Sequence, residues 1–162
     1  MGSAFCSSRN RISPQPLNSN FDTFITFTLT QKVTSITEMS FSQKEFSTPP
    51  PHPAVGTPPD SKSALPWYSI APGIWEFLLN GNAQEKAVLQ WWEPNAASAQ
   101  TEPITHTYIE EVCTLRGGLE DLSLGQSWSI GTYAYRHPGM KHGPYRATKD
   151  GCLQFVKIIP AK

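Results

Sequence analysis

From Trp67 to the C-terminus, short runs rich in β-branched and aromatic residues alternate with clusters of turn residues. The apolar runs predict strands at residues 74–79, 86–92, 104–115, 130–136 and 152–159. Turns are predicted between and around them, at Asn80-Gly81-Asn82, Glu93-Pro94-Asn95, Gly117-Gly118, Leu124-Gly125, His137-Pro138-Gly139 and Asp150-Gly151. No amphipathic helix of more than two turns is predicted, and short strands at this spacing imply an all-β sandwich or barrel. Before Trp67 the pattern changes. Residues 21–36 alternate apolar positions with Thr and form one further candidate strand, able to add to a sheet edge.

Composition sharpens the break. Nine of the fifteen prolines lie at or before Pro66, whereas all five tryptophans lie at Trp67 or after it. Residues 48–60 carry most of those prolines; polyproline II geometry makes this stretch a spacer ahead of a ligand for SH3 or WW domains. The expected division is residues 1–66 as a disordered or loosely attached leader and Pro-rich linker, and residues 67–162 as the barrel domain. Residues 1–20 are rich in Ser, Arg and Asn without a continuous apolar stretch, which argues against a secretory signal. Arg9 and Arg11 resemble a transit peptide only faintly, and Cys6 stands where a myristoylation signal needs Ser or Thr. Met39 is a second plausible start, so residues 1–38 need not belong to the working protein.

Thirteen acidic and thirteen basic side chains balance, which points away from nucleic acid and anionic membranes and toward a small molecule or another protein. Cys6, Cys113 and Cys152 contain no CxxC pair, which argues against a disulfide framework or a cysteine-built zinc site. They suit a reducing compartment, and the cytoplasm is the expected location. No apolar run reaches the ~18 residues needed to span a bilayer. A barrel of about 96 residues has much surface for its volume, so a homodimer covering an apolar sheet face is expected. Trp75, Trp91 and Trp92 are candidates for the core, that dimer face and the substrate mouth.

Two clusters carry candidate chemistry. One runs from His106 through Tyr108, Glu110 and Glu111 to Gly117; the other runs from Gly131 through His137-Pro138-Gly139 to His142 and Pro144. On a regular strand His106, Tyr108 and Glu110 share one face and Glu111 takes the other. Strands facing each other across a barrel would let His106, Glu110 and His142 converge. Two imidazoles and a carboxylate suit non-haem Fe(II) with open positions, and zinc accepts the same set. Tyr108 either donates a hydrogen bond to a bound oxygen or fills the barrel. His137 reads as a surface residue, and Cys113 and Cys152 as small packed hydrophobes.

Together these residues resemble the cupin superfamily, whose motifs read G-x5-H-x-H-x3-4-E-x6-G and G-x5-P-x-G-x2-H. The resemblance covers residues 67–162 and is nearest to small single-domain cupins of the anti-sigma-factor-like and fungal secondary-metabolism kinds. It is carried by His106, Glu110, Glu111, Val112, Leu115 and Gly117, by Gly131-Thr132-Tyr133, Pro138-Gly139, His142 and Pro144, and by Gly151-Cys152 with Phe155-Val156-Lys157. It implies a small antiparallel jelly-roll barrel with His106, Glu110 and His142 as metal ligands. Ile104 stands where the family has a further histidine.

The resemblance implies an enzyme: a metal-dependent oxidoreductase, dioxygenase-like, acting on a small aromatic or polyketide-derived molecule, with Fe(II) ahead of Zn(II). Tyr108 and Glu110 are its candidate proton-handling residues. A metal-dependent isomerase or cyclase, a non-catalytic sensor cupin and a metal-free scaffold are the alternatives. The sensor kind usually carries a helical partner-binding domain, for which the sequence before Pro66 gives no sign.

Overall fold

The structure is a computed structural model and describes residues 43–82 and 84–161. These fall in one unit of the chain, Thr34–Lys162. The leader readings, including Cys6, the Met39 start and the 21–36 strand, lie outside the described residues.

Among the described residues seven strands form: β1 (Tyr68–Ala71), β2 (Ile74–Gly81), β3 (Lys86–Trp92), β4 (Ile109–Asp121), β5 (Gln126–Ser129), β6 (Tyr133–Arg136) and β7 (Tyr145–Ile159). All pairings are antiparallel, in the order β1-β2-β3-β7-β4-β5, with β6 also on β4. Strand β4 is the hinge of the barrel: β7 lies along one side, while β6 pairs with its first half and β5 with its second. The only helix among the described residues is a 3-10 turn, Lys62–Ala64. The chain is thus an all-β antiparallel barrel.

Three predicted boundaries move. The strand expected over 104–115 begins at Ile109 and runs on to Asp121. The one expected over 130–136 shortens to β6, with the unpredicted β5 just before it, and the one over 152–159 starts earlier, at Tyr145. Glycine explains why β4 runs on past residue 115 and why β7 starts early. Gly117-Gly118 and Asp150-Gly151 read as turns, yet they lie inside β4 and β7, with Gly117 opposite Cys152 at a register shift. Gly117 and Gly151 both have positive φ, and a Cβ on Gly117 would lie 1.9 Å from the Gly151 carbonyl oxygen. These glycines let two backbones bend past each other in a bulge, which a turn signal cannot distinguish from chain reversal.

Strand parity builds two different faces. Inward positions include Ile74 and Glu76 on β2, Val88, Gln90 and Trp92 on β3, Glu110, Val112 and Thr114 on β4, and Gln154 and Val156 on β7, as the cross-strand partners require. The outer face of β2, β3 and β7 is also apolar. Trp75, Leu89, Trp91 and Leu153 are buried there together with Trp67 and Ala64.

What covers that outer face is the proline-rich segment. Composition makes it a spacer, but the structure lays it on the barrel. The His52 ring stacks on Trp91 at 3.8 Å, and Phe46 meets Phe77 edge-on. The Trp67 indole N–H donates to the Pro51 carbonyl (2.8 Å), and the Gly56 N–H donates to the buried Glu93 carboxylate (2.9 Å). That carboxylate also accepts the Trp75 indole N–H (3.0 Å). Prolines lack a donor to satisfy and lose little chain entropy on docking, so they suit a strap across an apolar sheet.

Candidate metal centre

His106 lies outside strand β4, contrary to the parity expectation. Its ring nitrogen Nδ1 sits 2.7 Å from the carbonyl oxygen of Tyr108, a side-chain-to-backbone bond that bends the chain just before β4 begins. A short ladder then replaces the strand. Ile104 and His142 exchange two backbone hydrogen bonds (2.8 and 3.1 Å), and the Gly139 N–H donates to the His106 carbonyl (2.9 Å). This ladder brings the loop between β6 and β7 beside the segment before β4. The two histidines therefore converge as neighbours along one edge, where the sequence suggested strands facing across a barrel.

Glu110 is on β4 and points inward as parity requires, whereas Glu111 points outward and accepts the Tyr133 hydroxyl (2.8 Å). The Glu110 Oε2 lies 3.6 Å from His106 Nε2 and 4.0 Å from His142 Nε2. One ligand atom from each of the three residues falls within 4.8 Å of the others.

The donor set fits a cation. A carbonyl accepts only, so His106 Nδ1 must carry the proton, and Nε2 faces the cluster with a free lone pair. His106 Nε2 and both ring nitrogens of His142 are buried without a hydrogen-bond partner. Orphaned nitrogens at such depth are costly unless something fills the space between them. Burial first, then the Arg136 charge, pulls the His142 pKa down to about 4 against the opposing pull of Glu110, so the imidazole is neutral at pH 7. His106, held through Nδ1, already has the form a metal takes, a neutral imidazole oriented by a bond from its other nitrogen.

Tyr108 shares this compartment. Its ring stacks on His106 at 4.2 Å and 3°, and burial together with the charges of Glu110 and Glu76 raises its pKa. His137 is exposed, edge-on to Tyr135, and is not part of the cluster. Cys152 is fully buried, which pushes its thiol up to about 12; Cys113 lies half-buried on the outer side of β4.

Sequence reasoning missed several lining residues. Arg136 donates to Glu110 Oε2 (2.6 Å) and to the Tyr145 hydroxyl (3.1 Å). Gln90 accepts from both Gln154 and the Trp92 indole (2.6 Å each) and donates onward to Glu76 (3.2 Å). A signal existed: Gln90 and Gln154 are lone polar residues inside apolar runs, at inward parity.

The loop that carries His142 is anchored by Asp121, which is 1% exposed. Its carboxylate accepts from the Ser123 N–H and hydroxyl, the Leu124 N–H and the Gly143 N–H. Burial raises the Asp121 pKa, but these bonds outweigh it and leave the group below the ordinary carboxylate range. Asp121→Ala is expected to cost about 2–4 kcal/mol, since it strands the buried Gly143 N–H. Because the folded pKa is depressed, the anchor's contribution is complete at neutral pH and is lost as pH falls below about 4. Urea unfolding of both proteins at pH 7 and pH 3 should therefore show a gap that narrows in acid.

Residues 61–162 match the ChrR cupin-like domain family. The chain belongs to that family. A solved structure agrees on the fold. This cupin is similar to KdgF from Halomonas sp. (17% identity, 63% of this chain and 92% of that one, TM-score 0.51). It is also similar to an RmlC-like cupin from Shewanella frigidimarina (19%, 59% and 84%, 0.48) and to a chain of the Rhodobacter sphaeroides SigE complex with the anti-sigma ChrR (16%, 60% and 50%, 0.48). Half of that last chain lies outside the match. Among the curated proteins, none matches.

Proposed function

We propose that this cupin is a metal-dependent oxidoreductase, dioxygenase-like, acting on a small aromatic or polyketide-derived molecule of secondary metabolism. The observation that carries the proposal is the set of buried, unpartnered imidazole nitrogens gathered around one carboxylate. His106, Glu110 and His142 would hold the metal, with Fe(II) the best match to two nitrogens and an oxygen, and Zn(II) the second. Such an ion supplies Lewis acidity and, as iron, a meeting place for substrate and O₂. The chain's own residues supply the rest. Tyr108, kept protonated by burial, is placed to give a proton or hydrogen bond to a substrate oxygen. Glu110, when not engaged by Arg136, is the nearest base. Ile104 and Trp92 line the same compartment and exclude water from one side.

A metal-dependent isomerase or cyclase is the second reading. Two phenols favour it: burial keeps Tyr108 and Tyr145 protonated beside the cluster, and both line the compartment. Elemental analysis of protein purified without a metal-affinity tag separates these readings. Stoichiometric iron supports the oxidoreductase, zinc moves the assignment to the isomerase or to a sensor, and protein with no metal overturns the site. A homodimer, if it forms, has to use a face other than the aromatic outer one, which residues 46–67 already cover.

A further inference from the structure

Beyond the triad, the barrel opens into a larger space. The compartment around His106 and Glu110 is about 140 Å³, and a second cavity of about 300 Å³ adjoins it. Arg136, His142, Tyr145 and Gln154 line both. The far end of the larger cavity is apolar at its mouth: Leu124 and Met140 are 63% and 48% exposed, and Trp128 is 37% exposed. Apolar side chains held at the rim of a concave site, with one polar wall at its base, fit a ligand with an apolar body and a polar head.

The charge of the base specifies the head. Glu110 and Arg136 now cancel each other at 2.6 Å. Both imidazoles are neutral ligands, so a divalent ion in the triad leaves the pocket with an excess of two positive charges. Arg136 is only 12% exposed at its side chain, and its one carboxylate partner is the group the ion would share. A buried guanidinium that loses its counter-charge needs another anion. Lys141 and the buried Asp121 carboxylate both line this cavity and cancel in the count, so the excess rests on the ion, Glu110 and Arg136.

We infer that the larger cavity takes an amphipathic organic acid, its carboxylate or enolate on Arg136 and its apolar body, of about bicyclic size, between Leu119 and the rim formed by Leu124, Trp128 and Met140. This rests on the metal reading above, because the ion is what frees Arg136 for an external anion. The acid group fixes which end of the molecule reaches the triad, so Arg136 also sets specificity.

The test uses full-length protein, its metal content measured on the same sample, and calorimetric titration with 1-naphthoate, 1-naphthylmethanol and acetate. The loaded protein is expected to bind naphthoate at least tenfold more tightly than the alcohol, and acetate weakly. Arg136→Gln should erase the preference for the acid, and Arg136→Lys should keep part of it. Trp128→Ala, at the rim and away from the ion pair, should weaken both naphthyl compounds and leave their ratio unchanged. Protein that holds metal yet binds acid and alcohol equally overturns this inference alone. Protein that takes up no metal overturns the metal reading and this inference with it.

Discussion

Replacing His106 or His142 with alanine should leave this cupin folded but unable to hold a metal ion. Each change leaves two protein ligands, and the loss should exceed the ten- to hundredfold cost typical of outer-shell partners. Stability responds differently. Both rings carry buried, unpartnered nitrogens, so their removal relieves a desolvation cost while opening a small cavity and, at His106, losing the bond to the Tyr108 carbonyl. The two effects oppose, and the apparent change in unfolding free energy should stay within about 1–2 kcal/mol. Ile104→His adds a nitrogen beside the triad, since Ile104 lines the same compartment and bridges to His142. It should tighten metal binding and close a position that substrate would use, lowering turnover. Zinc or iron titration with parallel thermal melts checks all three variants. Unchanged metal content in both alanine variants would show that the ion sits elsewhere.

The largest effect on stability is expected from cutting the chain at Trp67, where composition alone puts the start of the domain. Removal of residues 43–66 strips the cover from Trp75, Trp91, Leu89 and Leu153, which are 1%, 2%, 7% and 6% exposed. It also takes the Gly56 N–H from the buried Glu93 carboxylate and the Pro51 carbonyl from Trp67. Re-exposing one large apolar side chain costs about 1.5–3 kcal/mol. Several together approach the whole stability of a small domain, about 5–15 kcal/mol. A chain of residues 67–162 should therefore unfold, aggregate or pair through its bare aromatic face, while one of residues 43–162 should keep that face covered and stay folded. Limited proteolysis gives an independent reading. Cleavage should stop before His52, which stacks on Trp91 and, through Nε2, accepts a bond from Arg116 at 3.3 Å. A stable fragment beginning near Trp67 would return the segment to the role of a spacer.

The sequence by itself determined the fold class, because alternation of apolar and polar positions is a local property that survives without knowledge of neighbours. It also singled out His106, Glu110 and His142, through residue types at set spacings, and put Glu110 inward and Glu111 outward by parity within one strand. Only the tertiary structure decided how the three meet. His106 belongs to a bend held by its own ring, and His142 reaches it through a ladder with Ile104 that no periodicity announces. The same holds for Arg136, whose partner Glu110 lies 26 residues away, and for the Pro-rich strap, whose partners Phe77 and Trp91 lie on the outer face of β2 and β3. Composition records that a proline segment resists regular pairing, but whether it floats or docks depends on an apolar face assembled elsewhere in the chain. Long-range contacts of that kind are written in the sequence only as unlinked halves, and folding is what joins them.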